Sequence, residues 1–335
     1  MKKKALITGI TGQDGAYLAQ YLLKQDYDLV GTSRLLSSKN IWRLKYLNVD
    51  KKLKIYSSSI INTKRIYSFL KKNMFDEIYN LSGISSVQKS FLSPISTFKA
   101  NTFDCLQILN AIHTLKLKTR FYQASSSEMF GNSKLRCTEK MPFKPLSPYA
   151  ISKLSAHQIT VNYRNNYGIF ASNGILFNHE SPLRGKDFVS KKIIKSLVSI
   201  KKGSKKPLRI GNIYSKRDWG HASDFIRGMH LILNHHKPDD FIITSEQNFS
   251  VKDMINIVCK ILEIDGNWKG RGINEYYEYN KRKIVIVDKK LFRPLDIMNT
   301  RGSSKKARNQ LSWIAEYKFK DLIVDMIKYE LNQIK

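Results

Sequence analysis

The run Ala5-Leu6-Ile7-Thr8-Gly9-Ile10-Thr11-Gly12-Gln13-Asp14-Gly15 leaves few folds open to this chain. An apolar stretch of strand type passes into glycines three residues apart, and Tyr17, Leu18, Tyr21 and Leu22 then recur at helical spacing. A strand that turns straight into a helix starts a β-α-β unit, and the rest of the first half repeats the alternation. Strands are predicted at Leu29–Thr32, Lys54–Tyr56, Glu77–Leu81, Arg120–Ala124 and Ala171–Phe177. Helices are predicted around Ile66–Leu70, from Pro94 to Leu115 as one long stretch, and from Pro148 onward. This pattern predicts an α/β fold, a doubly wound parallel sheet covered by helices on both faces. The second half is less regular, with helices expected at Val189–Ile200, Val251–Leu262 and Asp321–Leu331 and strands at Phe241–Thr244 and Ile284–Val287. At 335 residues the chain has room for about two domains. With no repeat or low-complexity linker between them, the second is expected to interleave with the first.

The glycine turn suits a dinucleotide. Glycines let the chain turn tightly and let backbone approach a pyrophosphate, and the helix start offers unpaired N–H groups and a positive dipole end. The other reading of the segment is a plain strand–helix turn with Asp14 as cap. The end of the second strand selects the cofactor, since an acid there binds the ribose 2′-hydroxyl of NAD. Here it reads Gly31-Thr32-Ser33-Arg34, with no acid and with a guanidinium suited to a 2′-phosphate, which points to NADP.

Ser147-Pro148-Tyr149-Ala150-Ile151-Ser152-Lys153 starts a helix, with Ser147 as N-cap and Pro148 as first helical residue. Tyr149 and Lys153 then share a face. An ammonium beside a phenol lowers its pKa, so Tyr149 is expected to accept a proton from an alcohol while hydride leaves the same carbon. Ser126, at the carboxyl end of the Arg120–Ala124 strand, can hydrogen-bond that alcohol. Glu128 is the informative neighbour. A sugar dehydrogenase or epimerase has no need of it, whereas a dehydratase must remove a proton alpha to a new ketone and protonate a leaving hydroxyl, both within reach of one carboxylate.

Composition removes other classes. The chain is 42% hydrophobic and 11% aromatic, a globular composition. No apolar run reaches membrane length, and the Met1-Lys2-Lys3-Lys4 start resembles a signal peptide only until the glycines interrupt it. A cytoplasmic protein is expected. The 58 basic against 27 acidic residues give a formal charge of +31. The lysines are dispersed and no nucleic-acid motif accompanies them, so neither nucleic acid nor membrane is expected as a partner. Cys105, Cys137 and Cys259 have neither metal-ligand nor paired spacing, and no metal site is expected.

With these pieces in place the chain resembles the extended short-chain dehydrogenase/reductases and, among them, the GDP-mannose 4,6-dehydratase family. The likeness runs over nearly the whole chain. It rests on Ile7 to Gly15, Asp76 to Leu81, Ser85-Ser86-Val87, Arg120 to Glu128, Ser147 to Lys153, Gly174 to Pro182, Arg217 to Ala222 and Leu291 to Pro294. The resemblance implies a Rossmann domain over 1–180 plus about 219–247, and a smaller interleaved C-terminal substrate-binding domain over 181–218 and 248–335. It implies bound NADP, a GDP-sugar substrate and a homo-oligomer, dimer or tetramer. The implied catalytic residues are Ser126, Glu128, Tyr149 and Lys153, with Ser126 standing where the family carries threonine. Implied cofactor contacts are Gly9, Thr11, Gly12, Gln13, Asp14, Gly15, Arg34, Ser59, Ile60, Leu81, Ser82, Gly83, Ser85, Tyr149, Lys153, His179 and Arg184. Ser59 replaces an acid that many members carry. Implied sugar-nucleotide contacts are Ser85, Glu128, Asn178, Lys192, Arg217 and Arg293.

Two other readings stay open on the sequence alone. One is a 4,6-dehydratase of another GDP-sugar, a heptose or an N-acetylhexosamine, or a sugar-nucleotide reductase or epimerase. The other is a non-catalytic NADP-binding protein, which would have little need of Tyr149, Lys153 and Glu128 together.

Overall fold

The computed structural model describes residues 2–34, 37, 40–61, 64–292 and 297–333. Its strands, in chain order, begin with β1 (Lys4–Thr8), β2 (Asp28–Ser33), β3 (Lys54–Ser57), β4 (Glu77–Asn80), β5 (Arg120–Ser126), β6 (Ala171–Leu176) and β7 (Asn178–Glu180). They continue with β8 (Leu208–Ile210), β9 (Lys216–His221), β10 (Asp240–Ile243), β11 (Asn248–Ser250), β12 (Asn267–Lys269), β13 (Tyr276–Tyr279) and β14 (Arg282–Val287). Seven of them form one sheet in the order β10-β6-β5-β4-β1-β2-β3, and every neighbouring pair in it is parallel. The order reverses between β1 and β4. That is the switch point where open α/β sheets bind ligands beyond the strands' carboxyl ends.

The strand sequences show why the sheet is buried on both sides. Ala5 and Ile7 of β1 join one core with Leu18 and Leu22 of the helix Gln13–Lys24 and with Phe225 and Met229 of the helix Ala222–Leu233. Leu6 points the other way, into a core with Phe69 and Leu70 of Arg65–Asn73 and Ile108 and Leu109 of Asp104–Thr114. The alternation of side chains along a strand sends its apolar residues to both faces.

A separate core lies between the helices Val189–Lys201, Val251–Ile261 and Phe319–Gln333, with Leu208, Ile210, Val285 and Val287 from β8 and β14. Beside it stand a four-stranded sheet, β12-β13-β14-β8, and a three-stranded one, β11-β9-β7.

One predicted element differs in form. The stretch from Pro94 to Leu115 is a helix over Pro94–Phe98, a π turn over Lys99–Phe103 and a helix over Asp104–Thr114. The wide turn follows from the bonds of Asn101, whose Oδ1 accepts from the Ile84 N–H at 2.8 Å and whose Nδ2 donates to Ser152 Oγ at 2.8 Å. A side chain committed to two outside partners favours the wider spacing, and such bulges cluster at functional sites.

Candidate active site

The carboxyl ends of β1, β4, β5 and β6 open on a cleft of about 1300 Å³. The glycine turn forms its floor. Gly9 is left-handed at φ +68°, and a Cβ there would stand 2.9 Å from Ser82 Cα. A Cβ on Gly15 would stand 2.6 Å from the Gly9 carbonyl oxygen and the Ile10 Cα. Gly12 is the N-cap of the first helix and supplies no side-chain bond to its amides. The turn is thus a bare backbone cradle at an uncapped helix start, with room and donors for a pair of phosphates, and it fits a dinucleotide. Thr8 ties the cradle to the next wall, its hydroxyl accepting from Leu81 N and Ser82 N, each at 3.0 Å.

Asp14 does not cap the helix. Its Oδ2 meets His179 Nε2 at 2.9 Å, and His179 Nδ1 bonds the Phe177 carbonyl at 2.7 Å. Burial disfavours the charged form of both groups, and each opposes that by favouring the charge of the other. The Asp14 carboxyl is kept well below the usual carboxylate range, and the His179 imidazole is raised. Gln13 adds two more ties to the same segment, donating to the His179 carbonyl at 3.2 Å and accepting from Ser181 Oγ at 2.8 Å. Arg184 Nε stands 2.9 Å from Glu180 Oε2, an ion pair without hydrogen-bond alignment, and its guanidinium lies 3.6 Å over the Phe188 ring.

Ser126 ends β5 in extended backbone, and its hydroxyl accepts from the Glu128 N–H at 3.3 Å, starting the turn that brings Glu128 to the cleft wall. The helix Pro148–Tyr167 begins as the sequence predicts, with Ser147 Oγ accepting from Ala150 N at 3.1 Å. Tyr149 and Lys153 project from it into the same wall. The Lys153 ammonium donates to the Ala124 carbonyl at 2.9 Å, and burial pushes it down to about 8 while Asp14 pulls it back up. Tyr149 departs from the expectation that Lys153 lowers it. Burial pushes its hydroxyl up to about 12, Ser126 pulls it down and Glu128 pushes it up; Lys153, 6.0 Å from the ring centre, is not among the charges that act on it most.

The far wall comes from the second core and includes Gly211, Asn212, Arg217, Trp219 and Leu291. Arg217 is buried and donates to the Lys216 carbonyl at 3.0 Å. Arg34 is exposed at the end of β2 and lines the cleft beside Ser33, whose hydroxyl bonds Thr11 Oγ1 at 2.9 Å. Leu81, Ser82, Gly83, Ser85 and Asn178 also line the cleft.

Some expected residues stand elsewhere. Ser59 and Ile60 lie in the short turn Ser58–Ile60, and it is Ser58 that reaches the cleft, because the turn rotates the next residue outward. Lys192 follows the buried Lys191 on the helix Val189–Lys201 and does not line the cleft. Arg293 lies outside the described residues. Two residues with no motif around them matter. Asn101 braces Ser152 against the loop at Ile84. Arg43 lines the cleft and clamps the Leu183 carbonyl at 2.7 Å and the Thr11 carbonyl at 3.1 Å. Among the described residues no cluster of His, Cys, Asp or Glu could hold a metal, and no helix is long and apolar enough to cross a membrane.

The parallel sheet, the glycine cradle and the Tyr149–Lys153 pair beside a serine define a nucleotide-binding fold of the dehydrogenase/reductase type. It is shared with the UDP-glucuronic acid 4-epimerase of Bacillus cereus, with TM-score 0.82, 24% identity and coverage of 99% of this chain and 100% of that one. The chain belongs to the GDP-mannose 4,6-dehydratase family, whose model matches residues 6–326. The GDP-mannose 4,6-dehydratase of Yersinia enterocolitica is 39% identical, with 99% of this chain and 95% of the relative covered. That of Drosophila melanogaster is 38% identical, with 99% and 87% covered.

Proposed function

We propose that this protein is a hydro-lyase that converts GDP-mannose to GDP-4-keto-6-deoxymannose with a bound NADP that is regenerated in each turnover. The observation that carries the reading is the carboxylate of Glu128 in one cleft wall with Ser126, Tyr149 and Lys153, next to the glycine cradle. An epimerase or reductase would leave that carboxylate without work.

Gly9, Thr11, Gly12, Gln13, Asp14 and Gly15 would hold the pyrophosphate, with His179 and Arg184 closing over it and Leu81, Ser82, Gly83 and Ser85 along the next strand end. When bound, the nicotinamide ring supplies the hydride acceptor, a positive charge in its oxidised form, and the hydride donor in its reduced form. Tyr149 accepts the proton of the sugar's C4 hydroxyl while Ser126 hydrogen-bonds the oxygen. Lys153 adds a positive charge to the same wall, a weaker pull on the phenol than the hydrogen bond from Ser126. With C4 a ketone, C5–H is acidic; Glu128 removes that proton and gives a proton to the C6 hydroxyl, which leaves as water. Arg217 and Asn178 face the sugar nucleotide from the far wall. Arg34, with no acid beside it, favours NADP over NAD by its match to a 2′-phosphate. Denaturing the purified protein and identifying the released dinucleotide tests this: NADP(H) is expected, and release of NAD(H) would overturn the assignment.

The seven-stranded sheet, which takes in β10, supports a dinucleotide domain over 1–180 and about 219–247, and the second core a sugar-nucleotide domain over 181–218 and 248–335, although Ala307, Leu311 and Trp313 pack into the first core and Trp219 into the second. A homo-oligomer is supported by an apolar face on the helices that pack against Pro148–Tyr167. Leu92 is 79% exposed and Ile95 73%, with Phe91 and Ile151 nearby. Light scattering should report a dimer or tetramer that Ile95→Glu dissociates; a monomeric wild type would refute the assembly.

A further inference from the structure

A second polar network lies behind the catalytic wall, on residues the reaction above does not use. His157 is on the helix Pro148–Tyr167, four residues after Lys153 and eight after Tyr149, and so continues their face. It is buried at 3% exposure. Its Nδ1 lies 3.1 Å from Ser125 Oγ, on the strand residue just before Ser126. Its Nε2 lies 3.6 Å from Asp240 Oδ2 on β10. Asp240 is held by the Arg164 fork at 2.8 and 3.1 Å and by Asn173 Nδ2 at 2.8 Å.

Proton counting narrows the arrangement. Ser125 has one hydroxyl proton and two acceptors in reach, His157 Nδ1 and, at 3.3 Å, Asn173 Oδ1. If it donates to Asn173, His157 must donate from Nδ1. A neutral ring would then turn the lone pair of Nε2 toward the Asp240 carboxylate. Burial disfavours the doubly protonated ring and Arg164 adds to that, against the pull of Asp240. The neutral ring with its proton on Nε2 avoids both costs. That tautomer turns Nε2–H rather than a lone pair toward the Asp240 carboxylate, 3.6 Å away, and leaves Nδ1 as an acceptor for the Ser125 proton in competition with Asn173 Oδ1.

We infer that His157 is a positioning residue for this dehydratase reaction: through the Ser125 hydroxyl it fixes the strand that carries Ser126 against the helix that carries Tyr149 and Lys153. The inference rests on the proposed activity for its kinetic part only. A donor–acceptor pair between two core elements sets their offset more sharply than apolar packing does, because its distance and direction are both constrained.

The test uses His157→Phe, which keeps a ring but no nitrogen, His157→Asn, whose amide oxygen replaces Nδ1, and His157→Gln, whose amide lies where Nε2 was. In turnover of GDP-mannose, His157→Phe should lower kcat by about tenfold, within the ~10²-fold that a misplacement of about 1 Å can cost. KM should change less than about twofold and the isotope effect from deuterium at C4 should rise, as expected when transition-state geometry alone is disturbed. His157→Asn should recover most of kcat and His157→Gln should not. Ser125→Ala should reproduce the Phe loss, and combining the two should add nothing further. Unchanged kcat in His157→Phe, equal behaviour of Asn and Gln, or additive losses would overturn the inference. If His157→Phe fails to fold, Ser125→Ala and the Asn–Gln contrast still decide. Histidine-selective ¹⁵N NMR of the whole wild-type protein gives an answer independent of the substrate. His157 should be neutral, protonated at Nε2, with an Nδ1 signal that moves in Ser125→Ala. A ring protonated on Nδ1 would refute the arrangement even if GDP-mannose proved not to be the substrate.

Discussion

In the proposed reaction Glu128 separates this site from one that only oxidises or reduces a sugar, so its substitution is the sharpest test at the level of single residues. Glu128→Gln leaves Ser126, Tyr149 and Lys153 in place and removes the group proposed to take the C5 proton and protonate the leaving hydroxyl. The loss of such a group costs ~10²–10⁴ in rate. The expected result is a variant that still exchanges hydride with its bound dinucleotide, read from absorbance of the reduced ring on adding GDP-mannose, but forms almost no 6-deoxy product. Near wild-type dehydration by the variant would remove Glu128 from the mechanism. Tyr149 is a second instructive residue. The spacing to Lys153 suggested a phenol already lowered by the ammonium, yet burial dominates and raises it to about 12. The chain by itself therefore keeps Tyr149 protonated at neutral pH, which ties activation of the base to loading of the site.

At the level of elements, β9 is held in register by a buried acid. Ser245 donates to Asp218 Oδ1 from its backbone at 2.9 Å and from its hydroxyl at 2.8 Å, while burial raises the Asp218 carboxyl from 3.8 to about 6. A folded-state value above the unfolded one means that the native chain binds the extra proton in that window. The contribution of Asp218 to stability therefore falls as pH rises from about 4 through about 6, by at most about 3 kcal/mol at 1.36 kcal/mol per unit. Asp218→Asn keeps the acceptor and does not titrate. Its melting temperature relative to wild type should improve between pH 4 and pH 8; a difference that is constant with pH would contradict the account. The elements themselves were unequally legible. β1, β2, β4, β5 and β6 are apolar runs bounded by glycines, turns or helical spacing, and the Ser147-Pro148 pair marked its helix to the residue. The strands β7, β8, β11 and β12 have three residues each, too few for a period to register. The π turn at Lys99–Phe103 was hidden because only the tertiary partners of Asn101 demand it.

For the whole molecule, the site is a meeting of distant segments, and that decides what a sequence can announce. Motif residues such as Gly9, Ser126, Tyr149 and Lys153 declare their chemistry locally. The Asp14–His179 bond spans 165 positions and His157–Ser125 spans 32, and neither pairing has a local signature. The central claim is likewise a property of the assembled cleft: one dinucleotide, held by the glycine cradle and covered by His179 and Arg184, serves both ends of the same sugar. The measurement that tests it most directly is the fate of deuterium placed at C4 of GDP-mannose, with no reductant added. The account predicts that this deuterium appears in the C6 methyl group of the product, and that in heavy water unlabelled substrate gains its deuterium at C5, delivered through Glu128. Loss of the C4 deuterium to solvent or to free dinucleotide, with no labelled methyl group, would contradict it.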